Sequence, residues 1–397
     1  MVIPSKTNND PQSCVELLQQ MIGFDTVNRT AEGVPFVESQ LAAHLESVAA
    51  GWGLSTRRLP LKDAGFNLLV THQVAADAPW LMFDSHMDTV DVAGMTVDPF
   101  GGQIEDGKIF GRGACDTKGT GAAMLWALKS AAEDSQLSVN IAILYTIDEE
   151  AGRSGVKAFV NDQLPTLSFR PLGVIVGEPT CLRIVAAHNG TVRWRIRTHG
   201  VAAHSSDPSQ GQSAISSMAR VIDAIEQKYI PTVDAEHPLT GRAQCSINVV
   251  RGGSLINVIP ELCEIWLDRR TVPGEDGRQV VPAVTAILDD LQQRHGDIRL
   301  TIDSIRIENA LMPDTNRDFQ KCVAPVLDSL GLSTEPEGAR YGTNASNFAA
   351  LGIPALVLGP GDIAKAHSAD EFIEIDALHA GVEVYQRLMR QPSKSWR

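Results

Sequence analysis

The sequence predicts an α/β chain in which a larger domain on a mixed sheet is interrupted by a smaller α+β sandwich. Two observations carry this expectation. Short apolar, β-branched runs bounded by Gly, Pro or acidic residues recur at 68–71, 81–83, 139–147, 172–176 and 355–358, as the buried strands of such a sheet do. The middle of the chain instead reads strand–helix–strand–strand–helix–strand, the order of a small sandwich with one sheet face covered. The expected division is 1–184 with 306–397 for the larger domain and 185–305 for the insertion.

Taken in order, residues 35–50 set Val37, Leu41, Leu45 and Val48 at helical spacing, stopped by Gly51 and Gly53. Residues 119–132, rich in Ala, Leu and Met, read as a helix directly after the loop GRGACDTKG. In the insertion, 191–198 (TVRWRIRT) alternates as a half-exposed strand does, and 213–227 is an amphipathic helix. Strand-like runs at 243–250 and 262–269 flank the turn-rich RGGSLINVIPE. A helix at 280–294 and an alternating strand at 298–307 complete the pattern.

At 397 residues the chain can bury two cores. A net charge of −14 argues against a nucleic-acid surface, which needs a basic patch. No apolar stretch is long enough to span a membrane, and the first residues, MVIPSKTNNDPQS, contain no apolar run of the signal-peptide kind. The six cysteines lie far apart without a CxxC pair, so free thiols and a cytoplasmic location are expected.

The chemistry resides in metal-capable side chains placed just beyond the apolar runs. These are His86 in LMFDSHMD, Asp116 in GRGACDTKG, Glu150 in ILYTIDEE, Glu178 in VIVGEPT and His367 beyond LVLGPG. Two imidazoles and three carboxylates can hold two zinc-like ions if one carboxylate is shared. Asp88 stands two residues after His86 at a strand end and faces the same way, so it can accept the second ring N–H. Glu149 neighbours Glu150, and adjacent residues of an extended chain face opposite ways; one can ligate while the other reaches a water. A phosphate-binding reading of the glycine-dense loop fails, because Lys118 precedes Gly119 instead of following it. Each residue alone is a common surface group. Their joint occurrence after successive strands points to a hydrolase.

The segments DSHMDTV, GRGACDTKG, TIDEE, VGEPT, GVAAHSSDP and LGPGDIAKAHSADEFI resemble, in order and spacing, the motifs of the dizinc metallopeptidase family. That family includes acetylornithine deacetylase, succinyl-diaminopimelate desuccinylase, aminoacylase-1 and glutamate carboxypeptidases, and the likeness is greatest to the first. The resemblance implies a zinc-peptidase-like catalytic domain with an inserted lid that also forms a homodimer. It implies that His86 and Glu178 hold one zinc, Glu150 and His367 the other, and that Asp116 bridges them, with Co²⁺ or Mn²⁺ as substitutes. Asp88 would orient His86, Glu149 would be the general base, and the Asp116–Thr117 bond would be cis. His204 would reach the partner's site to support an oxyanion. Asn257 and Arg270, with Gly342, Thr343 and Asn344, would contact the substrate. The implied activity is removal of an N-acyl group, acetyl foremost, from an amino acid, as in arginine biosynthesis. A dipeptidase, a carboxypeptidase or the desuccinylase is the alternative. Asn344 departs from the pattern, because the deacetylases carry an acidic residue after the threonine; the ornithine side chain is what this puts in question.

Overall fold

Eight strands make the larger sheet of the computed structural model, which divides into two units and describes residues 10–29, 37–62, 65–133 and 137–396. The first nine residues, and residues 35 and 36 of the expected first helix, lie outside the described ones. The first unit comprises Met1–Ala186, Pro313–Glu337 and Thr343–Arg397; the second comprises Ala187–Met312 and Gly338–Gly342.

The sheet runs Ser55–Pro60, Phe66–His72, Asn140–Thr146, Trp80–His86, Pro171–Val176, Ala355–Val357, Val185–His188, Glu337–Ala339. Its four middle strands, from Asn140–Thr146 to Ala355–Val357, are mutually parallel, while Phe66–His72 pairs antiparallel with both its neighbours and Val357 pairs antiparallel with Val185. The sequence explains the difference. Asn140–Thr146 (NIAILYT) is buried at every position, as a strand covered on both faces must be. Ser55–Pro60, at the edge, is mostly exposed and ends in Pro60, which cannot donate to a further strand.

The helix Lys118–Ala132 can lie close to this sheet because its first turn is small. A Cβ added at Gly121 would sit 3.0 Å from both Ser85 Oγ and a Tyr145 ring carbon. The Tyr145 hydroxyl donates to Gly121 O at 2.8 Å, so a large apolar ring is buried with its polar tip satisfied. The C-terminal helix Ile375–Met389 makes the same arrangement through Tyr385, whose hydroxyl donates to Leu358 O at 2.8 Å.

The second unit carries a four-stranded antiparallel sheet in the order Gln244–Gly252, Leu262–Thr271, Gly190–His199, Arg299–Glu308. Leu262–Thr271 alternates between buried and half-buried residues along its length, the mark of a sheet covered on one face. Helices Ala214–Ala224 and Val280–Arg294 supply that cover, packing Met218, Val221, Val284 and Leu288 over Trp194, Ile196, Ile265 and Leu267. The regular part of the first of these helices ends at Ala224. Its hydrogen bonds then widen over Ile225–Tyr229, and Pro231, which has no N–H, closes the element.

Candidate metal centre

All four parallel strands point their C-terminal ends the same way, and the acidic and imidazole groups gather beyond those ends. His86 closes its strand, Glu149 and Glu150 follow Asn140–Thr146, Glu178 follows Pro171–Val176, and His367 lies in the loop after Ala355–Val357. Asp116 comes from the loop that opens the helix Lys118–Ala132, and its bond to Thr117 is cis.

Two groups of donors result, His86–Asp116–Glu178 and Asp116–Glu150–His367, and within each the ligand atoms lie within 4.8 Å of one another. The oxygens of Asp116 are divided between them. Oδ1 is 3.1 Å from His86 Nε2, and Oδ2 is 3.3 Å from His367 Nε2. His367 Nε2 is also 3.1 Å from Glu150 Oε1, and His86 Nε2 is 4.0 Å from Glu178 Oε2. Donors about 2.1 Å from a tetrahedral zinc stand roughly 3.4 Å apart, so this spacing is that of a ligand shell.

The electrostatics agree. Burial first, then the Asp116 charge, pushes Glu150 up to about 7 and Glu178 well above the usual carboxylate range. His367 is raised to about 10 by hydrogen bonds to Asp116 and Glu150. Burial disfavours the charged form of His86, yet the bonds to Asp116 and Asp88 outweigh it and raise the ring well above its ordinary value. Asp116 is likewise lowered in spite of its burial, through His367 and His86. Without ions the cluster therefore retains protons to limit its negative charge, and divalent cations can take the place of those protons. The donor set fits two such ions.

Asp88 serves the site in two ways. The Nδ1 of His86 donates to the main-chain oxygen of Asp88 at 2.9 Å, so Nε2, which faces Asp116, is the nitrogen that can give up its proton and ligate an ion; the Asp88 carboxylate is 3.5 Å from Nδ1. That carboxylate accepts Glu149 N at 2.9 Å, Glu150 N at 3.0 Å and Asn28 Nδ2 at 2.9 Å. It thus fixes the backbone of the acidic pair as well as the imidazole.

Glu149 is pushed up by burial, with Arg153 acting against the shift. Its Oε1 lies 2.8 Å from Arg153 Nε as an ion pair, without the alignment of a hydrogen bond. Glu371 grips the Asp116 loop: its Oε1 accepts Cys115 N and Asp116 N, each at 3.0 Å, and its Oε2 meets Arg112 Nη1 at 2.5 Å. Arg112, Arg153 and Asn28 have no signal in local sequence, because their partners lie in other segments or within an unusual turn. Glu371 follows His367 in HSADEFI, which marks it as a neighbour of the site without showing its two amides.

Thr343 and Asn344 are buried, and Gly342 is half-buried. Asn344 Nδ2 donates to Asp84 Oδ2 at 2.9 Å and Thr146 Oγ1 at 3.1 Å, so its amide is directed into the core of the first unit. His204, Asn257 and Arg270 belong to the second unit. His204 is exposed with Nδ1 2.7 Å from Ser206 Oγ, Asn257 is exposed, and Arg270 pairs with Asp268 at 2.6 Å.

Comparison with known proteins agrees with this geometry. Residues 82–391, which contain both candidate ligand groups, match Peptidase family M20/M25/M40. The chain belongs to that family. Among its M20 relatives, the acetylornithine deacetylase of Proteus mirabilis (strain HI4320) is 30% identical over 391 residues, 95% of each chain. The M20 family metallo-carboxypeptidase Sso-CP2 of Sulfolobus solfataricus superposes with a TM-score of 0.79 at 18% identity, covering 96% of this chain and 99% of that one. The YXEP protein of Bacillus subtilis, a dinuclear metal binding peptidase of the M20 family, gives 0.68 at 14% identity, covering 95% and 96%. At such identities the structural likeness carries the fold: an α/β catalytic domain with a separate antiparallel-sheet domain. As an M20 chain with two candidate ligand groups, the protein is a metallohydrolase of amide or peptide bonds, of deacetylase or peptidase type. No helix among the described residues is long and apolar enough to cross a membrane.

Proposed function

We propose that the protein removes an N-acyl group, acetyl foremost, from an amino acid. The observation that carries this reading is the divided carboxylate of Asp116, with an imidazole at each of its oxygens and an acid outside both ligand groups, Glu149, one residue from a ligand. His86 and Glu178 would hold one divalent ion and Glu150 and His367 the other, Asp116 being shared and zinc the foremost metal. Such a pair, when bound, supplies Lewis acidity that lowers the pKa of water and polarises an amide carbonyl.

The remaining steps belong to the chain. Glu149 accepts the proton of the attacking water at its carboxylate and later delivers it to the leaving nitrogen. Asp88 holds Glu149 and Glu150 in register, so that base and ligand keep a fixed relation. His204 supports the oxyanion in the site of a second copy of the chain, which makes the working form a homodimer. Arg270 suits the substrate carboxylate through its fork of donors, and Asn257, Gly342, Thr343 and Asn344 are the further substrate contacts of this reading. The Proteus relative supports deacetylation over peptide cleavage.

The test is amine release by metal-loaded protein from N-acetyl amino acids, with dipeptides and N-succinyl-diaminopimelate alongside. Turnover led by an N-acetyl amino acid is expected. Preference for dipeptides moves the assignment to the peptidase side. Glu149→Ala should cut kcat by about 10²–10⁴ with both ions retained; near-normal turnover would remove Glu149 as the base.

A further inference from the structure

The turn that carries Glu149 is closed by a residue the chemistry above does not use. Arg153 N donates to Asp148 O at 2.5 Å, and both Asp148 (φ 59) and Arg153 (φ 54) lie in the left-handed region. Side chains other than glycine enter that region at a cost and persist there where the surroundings demand it. The turn is also tight: a Cβ added at Gly152 would sit 2.5 Å from Asp148 Oδ2.

The side chain of Arg153 is placed by this turn against two segments. Its Nε lies 2.8 Å from Glu149 Oε1, and its Nη1 donates to Thr343 O at 3.3 Å. Only 11% of the Arg153 side chain and 9% of that of Glu149 are exposed, so solvent and salt screen the pair weakly. Apart from Arg153 and His86, the charges acting most strongly on Glu149 are the carboxylates Asp88 and Asp116. His86 is committed to Asp116. Arg153 is therefore the cation in direct contact with this acid, and its rigid guanidinium fixes direction as well as charge.

We propose that Arg153 is a positioning residue for hydrolysis: it holds the Glu149 carboxylate in place and ties the loop bearing it to the Thr343 segment. The inference rests on the reading of Glu149 as the base. Arg153 touches neither the ligand groups nor, in this role, the substrate; it acts through Glu149. Lysine keeps the charge and part of the reach, whereas glutamine keeps a donor without the charge.

The experiment uses the whole metal-loaded chain and whichever N-acetyl amino acid it turns over fastest. Arg153→Ala should lower kcat by about 10–100-fold and leave KM within about threefold, the pattern of a group that acts in the transition state. Both ions should remain bound. Arg153→Lys should recover more of kcat than Arg153→Gln, and those two variants serve if the alanine variant folds poorly. In a Glu149→Gln background, Arg153→Ala should change kcat by less than about threefold, because contacting residues that act together are not additive. Four outcomes would overturn the proposal: kcat of Arg153→Ala within about threefold of the parent, a rise in KM with kcat intact, loss of metal, or a full penalty that persists in the Glu149→Gln background. Failure of the base reading shows separately, as near-normal turnover by Glu149→Ala.

Discussion

Removing the Glu371 side chain should unfasten the loop that presents Asp116. Glu371 and Arg112 form an ion pair with side chains 0% and 4% exposed, and the same carboxylate accepts two main-chain amides. Glu371→Ala leaves a buried guanidinium without its counterion, a loss of about 3–5 kcal/mol in comparable cases. It also strips two amides of their acceptor, at ~1–3 kcal/mol each when they stay dry. These losses overlap, since water can enter the vacated space and Arg112 keeps bonds to Asp91 O and Ser368 O. A net loss of about 4–6 kcal/mol is expected. Glu371→Gln keeps an acceptor for the amides and should cost roughly half as much. At ~2–4 °C per kcal/mol for a domain of this size, the alanine variant should melt roughly 10–20 °C lower. Calorimetry of the metal-free chain reads this directly, and equilibrium dialysis should show weaker binding at both ion sites. A melting point within about 2 °C of the parent would refute the reasoning.

Loading the metal-free protein at neutral pH should release about three or more protons per chain, because His86, His367 and Glu178 are held protonated and Glu150 titrates near 7. Titration calorimetry in buffers of different ionisation enthalpy counts them, and affinity should climb as pH rises toward the His367 value of about 10; release of none would contradict the cluster's charge state. Asp84 is pushed up to about 7, chiefly by burial. A raised carboxyl contributes stability that is full below its unfolded value of about 4 and lost as pH rises through its folded value. Asp84→Asn should therefore gain stability relative to the parent between about pH 5 and pH 8. A difference in urea midpoint that does not change with pH would show that Asp84 does not titrate as described.

The donors were legible in the sequence because the physics that places them is local. A buried parallel strand is a short apolar run, and the residues just past its C-terminal end face the common edge; His86, Glu150 and Glu178 could be found by that rule alone. Asp116 and His367 needed the motif order as well, since one opens a helix and the other lies ten residues beyond Val357. The sandwich could be read from its alternation. The hidden part depends on meetings between distant segments. The side chain of Asn344 is held by Asp84 and Thr146, about 200 residues or more away in sequence, and nothing within YGTNAS shows whether it faces core or substrate. Arg153 looks like a surface residue of a polar loop, and only the left-handed turn puts it against Glu149.

The order of the donors along the chain has a consequence during synthesis. His86, Asp116 and Glu178 all precede the second unit, whereas His367 comes after it, 189 residues beyond Glu178 (367 − 178). At about 5–20 residues per second, a ribosome needs roughly 10–40 s to cross that interval. Throughout it, one trio of donors is present in full and the other lacks its imidazole. The two donor groups, so nearly symmetrical about Asp116 in the finished molecule, are thus unequal in time: one has all its side chains while the chain is still growing, the other only as it is being completed, and the loop that presents Asp116 to both waits for Glu371.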